Sequence, residues 1–289
     1  MPNASLNPLC LWLYGCSFSR HLGLSIGADI AGFTRSVSLE EYLRERQPLA
    51  VADSVRDRLN AYRSRIAPAV KARPLLALIE REGIRPETVV DFGCGDGTTL
   101  QYLTAQIPSL RQAYGVDVDL GVIQLAPLPE MRGQVRCEWF TALDNIPPVL
   151  GSPRLLIAIH VLHHLSRDEQ SDALRRLARL MDSPSDLLYV VEDSWSDQLQ
   201  TTVSCRADQL FVSMDVRGKS AVFESNEYWS NAWCYGRRLG GSCSRRSSEE
   251  WTRLAKEAGL TVVWSRATGF ALDRLHGVPA VAFIATRAD

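Results

Sequence analysis

The chain has 289 residues, 46% hydrophobic and 22% charged, with a formal net charge of −1. This composition is that of a folded globular chain, long enough for one large domain with a cap, and it excludes a low-complexity or disordered polymer. The charge balance gives no bias toward nucleic acid or an anionic membrane surface, and no apolar run approaches the roughly 20 residues that a membrane-spanning helix needs.

Residues 1–36 read as irregular, dotted with glycine and serine. The run Leu9–Tyr14 is short and has no basic flank, so a secretory signal is not expected. Ser38-Leu39-Glu40-Glu41 has the form of a capping box, and 50–83 carries amphipathic helical spacing. Pro68 and Pro74 should each break or start a helix, because proline lacks the N–H and crowds the preceding turn. Residues 1–73 are therefore expected to form an N-terminal irregular and helical cap.

Beyond residue 74 the pattern alternates. Strands are expected at 87–91, 112–117, 134–140, 154–159 and 186–192, and helices at 97–107, 120–126 and 168–182. Such alternation gives a parallel, doubly wound α/β sheet with crossover helices, whose ligand sits beyond the carboxyl ends of the strands. Residues 194–245 interrupt the rhythm with Trp195, Phe211, Phe223, Tyr228, Trp229, Trp233 and Tyr235, and with the pairs Arg237-Arg238 and Arg245-Arg246. The arginine pairs read as solvated loop; the aromatics suit either a small core or the wall of an acceptor pocket. Order resumes where Ser247-Ser248-Glu249-Glu250 caps a helix that Gly259 ends, followed by strands at 260–267 and 279–286.

The first strand runs into Asp91-Phe92-Gly93-Cys94-Gly95-Asp96-Gly97, an acid-x-Gly-x-Gly-x-Gly loop that opens a helix. Glycine lets bare backbone approach a ligand at the positive end of that helix. Asp117 ends the next strand, where a carboxylate holds a ribose diol in nucleotide-type sites. The dinucleotide fingerprint Gly-x-Gly-x-x-Gly does not fit, since the third glycine comes one residue early.

These segments, with Tyr114-Gly115-Val116-Asp117-Val118-Asp119 and Ile159-His160-Val161-Leu162-His163-His164-Leu165, resemble the class I S-adenosylmethionine (SAM)-dependent methyltransferases. The resemblance implies a Rossmann-like seven-stranded sheet with its last strand antiparallel, in a SAM-binding domain over 74–289. It implies that 194–245 is an insertion over the substrate side. SAM is then the cofactor, held by Asp91, Gly93, Cys94, Gly95, Asp117 and Val118, with Ala142, Leu143 and His160 lining the pocket. The acidic residue often found after the third strand falls here on Thr141 or Ala142, and Asp144 is the nearest substitute.

His163, His164 and Glu192 are the candidates for orienting or deprotonating the acceptor, and Asp193, Tyr228, Trp229 and Trp233 for binding it. No metal is expected: only His160 and His164 have helical ligand spacing, and they sit at a strand end. Seven cysteines without a Cys-x-x-Cys pair point to reduced thiols and a cytoplasmic setting. The leading expectation is methyl transfer to a small-molecule acceptor, a metabolite or natural-product intermediate, with no membrane or nucleic-acid partner. The alternatives are an RNA or protein methyltransferase, or a non-catalytic SAM-binding partner subunit. Oligomeric state, a homodimer included, is left open.

Overall fold

The computed structural model describes residues 67–119, 135–147, 152–195, 223, 244–268 and 280–288. The helices expected before residue 67 and at 120–126, together with Phe211, Tyr228, Trp229, Trp233, Tyr235 and Arg237-Arg238, lie outside the described residues.

Helix α1 (Ala67–Glu82) leads into β1 (Thr88–Phe92), α2 (Thr98–Gln106), β2 (Gln112–Val116), β3 (Arg136–Phe140), β4 (Arg154–Ile159), α3 (Arg167–Arg179), β5 (Leu187–Trp195), the short β6 (Arg246–Ser247), α4 (Ser248–Glu257), β7 (Leu260–Thr268) and β8 (Ala280–Arg287). The strand order is β3-β2-β1-β4-β5-β8-β7, with β6 pairing β5. The pairs from β3 to β5 are parallel, and β8 runs antiparallel to both β5 and β7. Strand order reverses at β1, so the crevice between the ends of β1 and β4 is the place where such a sheet takes a ligand.

Two-residue alternation divides the strands between two cores. Val89, Leu155, Ile157, Ile159, Tyr189 and Val191 face one layer with Leu75, Leu78, Leu100 and Leu103 of α1 and α2. Val90, Leu156, Ala158, Leu188 and Val190 face the other, with Leu174 and Leu177 of α3 and Trp251 and Leu254 of α4. Burying each such large apolar side chain contributes about 1.5–3 kcal/mol.

Helix α1 corrects one expectation. It runs through Pro74, and so across position 73, without breaking. A mid-helix proline costs about 3 kcal/mol. Ala72, Leu75, Leu78 and Ile79 are all buried on the same helix, and the Tyr189 hydroxyl donates to the Lys71 carbonyl at 2.6 Å, so packing outweighs the local penalty. Helix α4 starts as expected: Ser247 accepts from the Glu250 N–H while Glu250 accepts from the Ser247 N–H. An equivalent capping box, Ser166 with Glu169, starts α3.

Candidate functional site

The glycine loop is fastened to the end of β2 rather than left open. The Gly93 and Cys94 N–H groups both donate to the Val116 carbonyl, at 2.7 and 3.1 Å. The Gly95 N–H donates to Asp117 Oδ2 at 2.9 Å, and Asp117 Oδ1 accepts the Asp119 N–H at 2.9 Å. A phosphate-cradling loop needs those amides for its ligand; here the protein uses them. Gly93, Gly95 and Gly97 have φ of +77°, +53° and +73°. For Gly93 and Gly97 the neighbours are protein. A Cβ on Gly93 would lie 2.2 Å from Val161 Cγ2, and one on Gly97 would lie 2.3 Å from Trp139 Cη2. Trp139 also crosses Gly115, which explains a further glycine that the motif does not cover.

Asp91 is buried, and Oδ2 has no hydrogen-bond partner among the described residues. Burial first, then the Asp117 carboxylate, push its pKa up to about 7, against the opposing Lys71. Cys94 lies buried beside it, and burial together with the Asp91 and Asp117 charges pushes its thiol far above the ordinary range. That side chain is a neutral thiol. The mouth is thus rich in carboxylate and poor in free donors.

Val118, next to Asp117, is 86% exposed, an apolar surface at the β2 tip. At the β3 end, Leu143 is buried in a 3-10 turn with Ala142 as its N-cap. Asp144 is largely exposed and pairs with Arg176 of α3 at 3.1 Å.

The histidines follow β4. His160 is the one non-glycine residue with positive φ (+54°) among the described residues, and its N–H donates to the Val191 carbonyl at 2.8 Å. Its Nδ1 lies 3.0 Å from Asp193 Oδ1. His163 is buried, with Nδ1 2.6 Å from Glu192 Oε2. Glu192 Oε1 accepts the Val161 and Leu162 N–H groups at 3.0 and 2.7 Å, and Oε2 also faces the His163 N–H at 3.4 Å. Both carboxylate oxygens therefore tie down the loop, a different use from the acceptor contact the sequence suggests. His164 is exposed, its ring 4.2 Å from that of His163. Among the described residues, His160, His163 and Asp193 are the one group whose ligand atoms, within 4.8 Å of one another, could share a metal ion.

Residues 244–247 return directly onto this loop. The Ser244 N–H donates to the His163 carbonyl at 2.8 Å. Buried Gln170 of α3 donates to the Leu162 and Ser244 carbonyls and accepts from Arg246 Nε at 2.6 Å. Arg245 lies over the Phe223 ring at 5.2 Å, and Phe223 neighbours Trp195. Both arginines are buried, which corrects the reading of this pair as solvated loop. Gln170 and Lys71 had no motif to announce them; each sits on an ordinary helical face, and only the fold brings it here.

A family model described as a methyltransferase domain matches residues 60–265. No curated protein sequence matches. The methyltransferase solved in complex with the Haloferax volcanii Trm112 methyltransferase activator has a TM-score of 0.53 at 14% identity, covering 88% of this chain and 100% of that one. Human N-acetylserotonin methyltransferase, solved with SAM, has 0.52 at 14%, covering 94% of this chain and 70% of that one. Mitomycin 7-O-methyltransferase has 0.50 at 20%, covering 94% and 68%.

Proposed function

Because the chain belongs to the methyltransferase-domain family, in the class I SAM-dependent fold, we propose that it methylates a small-molecule acceptor at the carboxyl ends of β4 and β5. SAM is the methyl donor and supplies an electrophilic methyl on a sulfonium. The acidic, donor-poor mouth carries this reading. Asp91, Asp96 and Asp117 couple electrostatically there, with the loop amides already used. That chemistry suits a cationic ligand and disfavours the diphosphate of a dinucleotide. Asp117 would take the ribose hydroxyls with its remaining lone pairs, Val118 would cover the adenine, and Gly93, Gly95, Ala142 and Leu143 would line the floor. The small-molecule choice is supported by the even charge balance and by relatives described as acting on mitomycin and N-acetylserotonin. It is supported too by the described ends of the 194–245 insertion expected from the sequence: Trp195 closes β5, and the Ser244 N–H donates to the His163 carbonyl in the histidine loop.

The test is S-adenosylhomocysteine release from purified protein over a panel of hydroxyl- and amine-bearing metabolites. Nucleic acid retained at moderate salt, with methyl incorporated into it, would replace the small-molecule reading. Asp117→Ala should weaken SAM binding by about 1–3 kcal/mol, the cost of a buried hydroxyl left unpaired. Unchanged affinity by calorimetry would move the ribose contact elsewhere.

Asp91 makes binding depend on pH. Its pKa, about 7 in the free protein, is above the unfolded value of 3.8, so its contribution to stability is full below that value and is lost as pH rises through 7. A cationic ligand favours the ionised form, so binding should release a proton and SAM affinity should rise with pH up to about 7, then level off. Asp91→Asn should flatten that rise and stabilise the free protein at pH 8. Calorimetry in buffers of different ionisation enthalpy reads the proton directly, and proton uptake would refute the assignment.

A further inference from the structure

Two side chains of opposite polarity hold the loop after β4. Glu192 of β5 takes its donors: the Val161 and Leu162 N–H groups both reach Oε1. Gln170 of α3 takes its acceptors: Nε2 donates to the Leu162 and Leu165 carbonyls at 3.1 and 3.2 Å. The same amide also donates to the Ser244 carbonyl, so its hydrogens are shared among three oxygens. The Ser244 N–H in turn donates to the His163 carbonyl at 2.8 Å. Histidine loop and returning chain are therefore joined twice, once directly and once through Gln170.

The other end of Gln170 is equally occupied. Its Oε1 accepts Arg246 Nε at 2.6 Å, and carbonyls at one end with a guanidinium at the other leave the amide a single orientation. Arg246 lies in β6 and pairs with Ser194 of β5, whose Oγ donates to the Arg246 carbonyl at 2.9 Å. Its Nη2 donates to the Arg167 carbonyl at 3.0 Å, and Arg167 reaches Glu250 in the capping box of α4. Burying a cation is costly unless it is hydrogen-bonded. Burial, then the Arg167 charge, lower the Arg246 pKa, against Glu250. Position 170 lies on the buried face of α3 with Ala173, Leu174 and Leu177, where an aliphatic side chain would serve the core. An amide there serves the loop.

We propose that Gln170 is the positioning residue of the acceptor side, acting through the loop that carries His163 and His164 by fixing it to the chain that returns at β6. It rests on the methyltransferase reading for what that loop faces, and deepens it by separating the support of the acceptor side from that of the cofactor side. The glycine loop is fastened by the Val116 carbonyl and Asp117, with no bond through Gln170. Val161, which packs against Gly93, is held by Glu192. Loss of the Gln170 amide should therefore release Leu162–Leu165 and Ser244 together and leave the cofactor side in place.

Hydrogen exchange on the full chain tests this without an acceptor. In Gln170→Met the Leu165 and Ser244 amides should lose protection by about ten- to a hundredfold, the scale set by leaving a buried carbonyl unpaired. The Gly93 and Cys94 amides should keep theirs, and SAM affinity by calorimetry should not change. Leu174→Ala, one turn along α3, is the control for a general loss of stability. If it unprotects the same two amides as selectively, or if Gln170→Met leaves them protected, the proposal is overturned. Gln170→Glu keeps the partner of Arg246 but cannot donate to the three carbonyls, so it should also release the loop. Wild-type protection in that variant would assign Gln170 to Arg246 alone. On an acceptor from the metabolite panel, Gln170→Glu should lower kcat/KM for the acceptor by about 10²-fold, the usual cost of a misplacement of about 1 Å. Unchanged turnover with the loop released would end the positioning role and leave the methyltransferase reading standing. An absence of turnover in the wild-type protein would end that reading and leave the exchange result untouched.

Discussion

Gly93→Ala is expected to cost about 2–5 kcal/mol of stability and to remove measurable SAM binding, through overpacking and a left-handed backbone together. The added Cβ would sit 2.2 Å from Val161 Cγ2 and 2.4 Å from Val161 Cβ. Val161 cannot swing aside as a long side chain would. Its bulk starts at Cβ, and its N–H is fixed to Glu192 Oε1 at 3.0 Å. Relief must therefore come from shifting either the glycine loop or the histidine loop, and the two carry the donor and acceptor sides of the site. Gly83 provides the control: it too has positive φ (+64°), with nothing within 4 Å of its would-be Cβ. Gly83→Ala should show the backbone cost alone, about 1–2 kcal/mol. Urea unfolding of both variants isolates the steric part. Equal losses would mean that the two loops are not in register-fixing contact.

The strands were legible because the physics that forms them is local and periodic. Val89 and Val90, or Leu155 and Leu156, must face opposite layers whatever the rest of the chain does, and every expected strand is present, with β5 running three residues past its expected end and only the two-residue β6 unforeseen. The capping box at Ser247 and the helix end at Gly259 are equally local. Pro74 was not legible, because a proline's local cost says nothing of what Leu75, Leu78 and Ile79 gain by being buried. The burial of Arg245-Arg246 was hidden for the same reason: their partners Gln170 and Phe223 are far away in sequence.

The site divides along the same line. The motif residues Asp91, Gly93, Gly95 and Asp117 could be named from spacing. That Gly93 accommodates Val161, and Gly97 and Gly115 accommodate Trp139, could not, since those contacts join separate strands. The sequence offers three clustered histidines and two adjacent carboxylates with no means of pairing them. Alternation along β5 does the pairing. Glu192 and Asp193 point to opposite faces, so one meets His163 and the other His160. One backbone angle, the positive φ of His160, then turns that ring to its carboxylate.

Glu192→Ala is expected to destabilise the protein by about 3–5 kcal/mol, since each buried group it leaves unpaired costs about 1–3 kcal/mol. The carboxylate is fully buried and satisfies the Val161 and Leu162 N–H groups together with the His163 ring. Deleting it strands all three where water cannot replace it. With total stability typically about 5–15 kcal/mol, such a loss leaves the variant near its unfolding threshold at physiological temperature. Glu192→Gln should cost less: its carbonyl can still accept from the two amides, and its NH2 can donate to Nδ1 if His163 moves its own proton to Nε2. The ranking Ala worse than Gln worse than wild type, read from denaturant midpoints, is what a loop anchor requires. An acceptor base would give the other pattern, in which Gln removes turnover as completely as Ala while both proteins keep the wild-type midpoint. That result would return Glu192 to the chemistry and leave the loop after β4 to be held by its own 3-10 turn and by Gln170.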